Sequence, residues 1–294
     1  MKTLFLYVVT IVIWGSTWIG IKYQLGSVDP MVSVIYRFAL SSVILMIFCR
    51  LRGLSLNFSL REHGRMALTG TFLFSLNYWL VYISEVYLTS GLVAVLFSSI
   101  VFLNMVNGAL FLKDPMEKKM IFGAVFGTLG TIIIFMPEIQ AFDLSDQGMI
   151  GIMFGLGSVL LASFGNISSA WNSRNEIPVV QANAFGMGYG ALLLWVIAMC
   201  LGKEFTFPVT VPYVGSLVYL ALFGTIIGFG SYLTLIKTIG ADKASYTIMV
   251  VPAVALVISS FFEGYVWNSA ALAGLFLVLG GNFLALYKGR RARG

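Results

Sequence analysis

Ten stretches of this 294-residue chain stay apolar for about 19 residues or more, the length an α-helix needs to cross roughly 30 Å of hydrocarbon. They lie at 4–22, 31–50, 66–86, 88–112, 119–137, 148–170, 179–201, 212–236, 243–263 and 269–288. The connectors hold helix breakers and charges: Asp29-Pro30, Lys113-Asp114-Pro115, Pro137-Glu138, Pro178, Pro208, Pro212 and Trp267-Asn268. Soluble domains carry about 25% charged residues. Here the figure is 10%, against 59% hydrophobic, so there is too little polar surface to cover a soluble particle. The expected fold class is therefore an all-α integral membrane protein with ten transmembrane helices. This excludes a water-soluble enzyme, a disordered chain and a disulfide scaffold. Cys49 and Cys200, expected near opposite membrane faces, read as small core residues.

The stretch after Lys2 has the charge and hydrophobicity of a secretory signal. It runs on through WGSTWIGIK without a small-x-small cleavage pattern, and it is read as the first helix.

Basic residues orient the chain. An even number of spans puts both termini on one side, and that side collects fifteen lysines and arginines against Lys22 and Lys203 on the other. By the positive-inside rule both termini are cytoplasmic. The net charge of +6 then belongs to a membrane face that meets anionic lipid headgroups, and no nucleic-acid partner is needed to explain it.

Sliding the chain along itself by 151 residues aligns Phe111 with Phe262, Gly123 with Gly274, Gly130 with Gly281, and Val101 with Pro252. The same shift superposes spans one to five on six to ten. Five is odd, so the halves 1–143 and 144–294 cross in opposite senses. Such an inverted repeat is a common architecture of secondary transporters.

Several strings carry a family likeness. WGSTW (14–18), the Pro30-to-Arg37 opening of the second helix, and SGLVAVLFSSIVF (90–102) leading to FLKDP (111–115) resemble the drug/metabolite transporter superfamily. In the second half IGADKASYTIMVVPAV (239–254) and FFEGYVW (261–267) resemble its EamA-type repeat. Departures are Val101 where a proline is usual, Asp114 where glutamate is frequent, and Tyr265 at the equivalent place in the second half. The resemblance implies a permease of the bacterial-type inner membrane that exports a small organic metabolite, an amino acid among them, by alternating access. No cofactor or metal is expected, and the assembly is expected to be a monomer or homodimer.

Polar groups at membrane depth are costly and are the first places to look for a substrate site. Arg37, about six residues into the second helix, is read either as an anchor for an anionic substrate group or as a structural ion pair or interface anchor. Tyr78, Tyr82 and Glu85 share one helix face, with Asn77 beside them. Glu85 and Glu263 are candidates for binding an amine or coupling to protons, or else solvated residues at the outer interface. Trp14 and Trp18 offer rings for flat or cationic cargo, or pack against helices. Asn166, Tyr232 and Tyr246 fall on helices that line the cavity in the family the chain resembles. Pro252 can kink the ninth helix, as a gate or as a static bend.

An enzyme is the competing class. The chain has one histidine, His63, and no HExxH string, no two aspartates within spans and no P-loop, so no catalytic activity is expected. The alternative substrate class is a cationic, aromatic or nucleoside-like compound held by stacking. Reporter fusions after Lys118 and Arg290 should read as cytoplasmic and one near Asp143 as external; a cytoplasmic signal at Asp143 breaks the ten-span topology.

Overall fold

The computed structural model describes residues 2–24, 26, 28–142, 146–262 and 268–286, and every regular element among them is helical. The helices are α1 (Lys2–Lys22), α2 (Pro30–Leu51), α3 (Leu60–Tyr87), α4 (Ser90–Leu112) and α5 (Lys118–Ile134). After a short turn of helix at Met136–Gln140 come α6 (Asp146–Arg174), α7 (Val179–Cys200) and α8 (Val211–Ile239). The chain ends with α9 (Ala241–Ala244 continued by Tyr246–Phe262) and α10 (Ser269–Leu286). Among the described residues eight helices are long and apolar enough to cross a membrane: α2, α3, α4, α6, α7, α8, α9 and α10. α1 is apolar too, and α5, at 17 residues, is shorter. Phe5, Phe122, Phe276 and Phe283 stand exposed on the outside of the bundle, as lipid-facing side chains do.

Helix starts follow local chemistry. Asp29 accepts from the Met31 amide at 2.8 Å, and Pro30 opens α2 with its φ already set. Ser59 and Glu62 close a reciprocal capping box, with the Ser59 amide donating to Glu62 at 2.6 Å. That cap starts α3 at Leu60, six residues before the apolar run begins, because the first turns (LREHGR) are polar and escape a hydropathy window. His63, which falls in the connector between the apolar stretches 31–50 and 66–86, therefore sits on α3, where its Nδ1 pairs with the Tyr189 hydroxyl at 2.9 Å. α6 likewise runs on to Arg174, which forms a two-pronged ion pair with Asp114 at 2.6 and 2.8 Å. Ahead of α5, Glu117 holds Lys119 at 2.9 Å and Lys243 at 3.1 Å. Those two ammonium groups keep its carboxyl below the usual carboxylate range. Cys49 is buried as expected, but Cys200 is exposed at the end of α7.

Packing is organised by glycine. Gly123 lies against Gly281 and Gly130 against Gly274, so α5 and α10 run antiparallel with their backbones in contact. A Cβ on Gly130 or on Gly274 would stand 2.6 Å from the carbonyl oxygen of the other. One on Gly127 would be 1.7 Å from the Met249 sulfur. Close approach through small residues stands in for the hydrophobic drive that lipid cannot supply. Gly70, Gly186 and Gly190 bring α3 against α7 in the same way. α2 packs on α7, α3 on α6, α1 on α8, α4 on α6 and α1 on α9.

Wide π-helical turns interrupt α3 at Phe72–Leu76 and α8 at Leu220–Ile227, and a third closes α4 at Gly108–Leu112. Shifted by 151 residues, the first falls inside the second. A turn of this kind breaks the i→i−4 ladder and leaves carbonyl oxygens for side chains to use.

Gly130→Ala and Gly274→Ala should each cost about 1–3 kcal/mol by forcing the α5 and α10 backbones apart. Gly280→Ala, which meets open space, should be near neutral. Thermal unfolding in detergent checks this, and equal Tm values for all three would dismiss the backbone contact as a source of stability.

Candidate functional site

α1, α3 and α4 from the first half of the chain and α6, α8 and α9 from the second enclose a cavity of about 110 Å³. One ordered water needs roughly 10–15 Å³ by this measure, so there is room for several waters or a small organic molecule. The wall carries Trp14, Thr17 and Ile21 from α1, Leu73, Asn77, Tyr78 and Val81 from α3, and Ala94, Phe97 and Ile100 from α4. Ala162 and Asn166 come from α6, Phe229 and Tyr232 from α8, and Ile248, Val251 and Pro252 from α9. Of the residues singled out in the sequence, Trp14, Asn77, Tyr78, Asn166, Tyr232 and Pro252 meet here.

Trp14 is seated by the π-turn of α8. Its indole N–H donates to the Gly224 carbonyl at 3.1 Å, one of the oxygens the widened turn offers. A Cβ on Gly228 would lie 2.6 Å from the same nitrogen, so glycine there makes the seat. The indole then meets the rings of Phe229 at 5.1 Å and Tyr232 at 4.9 Å, both inclined rather than stacked flat. The result is an aromatic corner with a fixed geometry.

Polar atoms on this wall lack partners within the protein. Asn77 gives its amide to the Leu73 carbonyl at 3.3 Å, but its Oδ1 is unpaired. Both polar atoms of Asn166 and the hydroxyl of Tyr232 are unpaired as well, and each of these two residues is 1% exposed. The side chains of Asn104 and Asn166 come close enough to interact with the Tyr232 hydroxyl without reaching full hydrogen-bonding geometry. Buried polar groups without partners are rare in folded proteins and cost about 1–3 kcal/mol each. Several on one wall describe a surface built to bond something placed against it.

Arg37 lies behind the wall. It is 1% exposed, its Nε donates to the Thr225 hydroxyl at 2.8 Å, and its guanidinium carbon sits 4.8 Å over the Tyr78 ring and 5.6 Å over Phe38. Tyr82 is buried too, but its hydroxyl donates to Gln24 at 2.9 Å, away from the cavity. Glu85 is partly buried, with Oε1 enclosed and unbonded. Tyr246 is not on the wall: its hydroxyl donates to the Met120 carbonyl, a pin between α9 and α5. Glu263 and the Trp18 side chain fall outside the described residues.

Sequence reading passed over Phe97, Phe229, Thr225 and Gln24, while Gly224 and Gly228, four apart, read as helix-packing glycines. The phenylalanines carry no signal that separates a cavity wall from lipid contact. The glycines share the four-residue spacing that also marks plain packing.

Tyr232→Phe removes a buried hydroxyl that has no partner. The variant should unfold about 1 kcal/mol later than the parent protein. A lower Tm would mean that Asn104 or Asn166 bonds that hydroxyl structurally.

Known proteins resemble this chain in fold and in sequence. A chain of known crystal structure superposes with a TM-score of 0.78, covering 97% of this chain and 96% of its own, at 16% identity, which marks a common fold. The uncharacterized inner membrane transporter YedA of Escherichia coli is 28% identical over 255 residues, 86% of this chain and 80% of that one. An uncharacterized transporter of Archaeoglobus fulgidus is 22% identical over 98% of this chain and 100% of its own, and YdfC of Bacillus subtilis is 26% identical over 92% and 86%. The EamA-like transporter family matches twice, at residues 1–136 and 149–287, and with both halves of the bundle accounted for, the chain belongs to that family of membrane transporters.

Proposed function

We propose that this protein is a ten-span secondary transporter of two inverted five-helix halves, 1–143 and 144–294, which exports a small organic metabolite by alternating access. The observation that carries the reading is the cavity, which draws its wall from matching helices of both halves and presents unbonded amide and hydroxyl groups to its interior.

Exchange of the two halves turns many of the helix contacts into one another. α1 on α8 becomes α6 on α3, α1 on α9 becomes α6 on α4, and α5 on α10 becomes itself. The reciprocal contacts of Gly123 with Gly281 and Gly130 with Gly274 have the form a two-fold axis between the halves would give. The paired π-turns support the same repeat. A solute at such an axis meets both halves at once, and rocking one half against the other would expose it to each side in turn.

Within the cavity Trp14, Tyr78, Phe229 and Tyr232 would contact the apolar body of the solute. Asn77, Asn166 and the Tyr232 hydroxyl would bond its polar groups. Pro252, on the wall in mid-helix, frees a backbone carbonyl and gives α9 a place to bend. Glu85 and Glu263 are the groups proposed to carry coupling protons. Both termini would face the cytoplasm, and an amino acid fits the size and polarity of the site. The rings of Trp14, Phe229 and Tyr232 favour a second reading, a flat or cationic compound held against their faces.

A stabilisation screen of the purified protein against amino acids, nucleosides and aromatic cations tests the substrate classes, because a ligand raises apparent stability by mass action. Amino-acid hits support the metabolite reading, and stabilisation by bulky cations alone replaces it with the second. In proteoliposomes Glu85→Gln should abolish flux driven by a pH gradient while leaving protein abundance unchanged. Undiminished flux removes Glu85 from the coupling role.

A further inference from the structure

We propose that the solute carried in this cavity bears a single carboxylate, and that Arg37 receives it. The inference rests on the transporter reading above and narrows its substrate class to small organic monoanions.

Arg37 is one of the largest side chains that the fold buries completely. Among the described residues no carboxylate lies within 4 Å of it, and the ion pairs there join Lys119 and Lys243 to Glu117, Arg174 to Asp114, and Lys203 to Asp29. A buried guanidinium is ordinarily paired, because removing its charge from water is costly. Here the protein supplies one well-formed hydrogen bond, from Nε to Thr225, the nearby hydroxyls of Tyr78 and Tyr82, and the ring faces of Tyr78 and Phe38. Nη1 is enclosed and has no partner.

The bonds that are made decide which edge is left. With Nε committed to Thr225, the guanidinium presents its Nη1–Nη2 end, which can hold both oxygens of one carboxylate in a planar fork. That end is close to the cavity. Thr17 and Tyr78, both on the wall, are its neighbours: the ideal Cβ of Gly224 lies 2.9 Å from the Thr17 methyl and 3.2 Å from Nη2 of Arg37. A side chain at position 224 would crowd both Nη2 and the Thr17 methyl.

The titratable groups facing Arg37 are few. Tyr78 and Tyr82 from α3 place their hydroxyls beside it, and Glu85, one turn further along α3, feels its charge from beyond ion-pairing distance. Glu85 thus leaves the hydrogen-bonding edge of the arginine unoccupied. A solute carboxylate would fill that edge, with the rest of the molecule lying toward the Trp14 corner and the amides of Asn77 and Asn166.

Two isosteric series isolate the charge: 3-methylbutanoate, 3-methylbutanamide and 3-methylbutylamine, then benzoate, benzamide and benzylamine. Binding to the full-length protein in detergent is read by thermal shift and by tryptophan quenching. The carboxylate should bind about tenfold more tightly than its amide, with the amine weakest. Arg37→Lys should keep part of that preference. Arg37→Met should erase it while unfolding at the same or a higher temperature than the parent protein, since an unpaired buried charge has gone.

A carboxylate preference that survives in Arg37→Met overturns the proposal. So does a carboxylate that binds no better than its amide, or silence from both carboxylates. A fall in Tm for Arg37→Met without loss of preference marks a structural arginine and overturns it too. If Arg37→Met does not fold, Thr225→Val decides: freeing Nε should weaken the preference several-fold, and an unchanged preference overturns the idea. Preference for the amines refutes the carboxylate while the transporter reading stands. Failure of the transporter reading shows separately, as proteoliposomes that move none of the six probes.

Discussion

Hydrocarbon offers no hydrogen-bond partners, and that constraint organises the whole molecule. It forces the chain into helices, whose backbones satisfy themselves, and it lets two helices touch only where side chains are small. The glycine contacts of α5 with α10 and of α3 with α7 are the direct result. The same constraint makes every exception informative. Where the interior keeps polar atoms without partners, at Asn77, Asn166, Tyr232 and Arg37, packing alone does not account for them.

How much of this was legible depended on whether a property repeats along the chain. Apolar runs of spanning length are a statistical property of many residues, so the helices could be read within a few residues of their ends. The start of α3 escaped because Ser59 and Glu62 cap a polar first turn, a local event that a hydropathy window averages away. α6 outran its apolar stretch for a similar reason, as the Arg174–Asp114 pair holds its polar end in place. Cys200 was misjudged because the last residue of a buried-looking helix can still face outward.

The site was legible in kind more than in detail. Residue type and spacing pointed to Trp14, Asn77 and Tyr78, and the family resemblance added Asn166 and Tyr232, whose helices line the cavity there. Neither could separate Tyr232, which faces the cavity, from Tyr246, which pins α9 to Met120. That difference is a rotation about the helix axis, set by neighbours far away in sequence. Nor did the sequence announce the π-turns, which shift the register of everything after them.

The wide turn at Leu220–Ile227 has a consequence for how this chain can change. A π-turn accommodates one residue more than an α-helix of the same rise, so shortening the segment by one residue would let regular α-helix close over the gap. Because the wide turn absorbs its extra residue within one revolution, Phe229 and Tyr232 beyond it would keep their places on the cavity wall, while Gly224 would lose the loose carbonyl that holds Trp14. A single-codon deletion in a stretch that looks like featureless apolar helix would thus unseat one tryptophan and leave the rest of the chamber standing, and the wide turns of α3 and α4 offer the same kind of local adjustment elsewhere in the bundle.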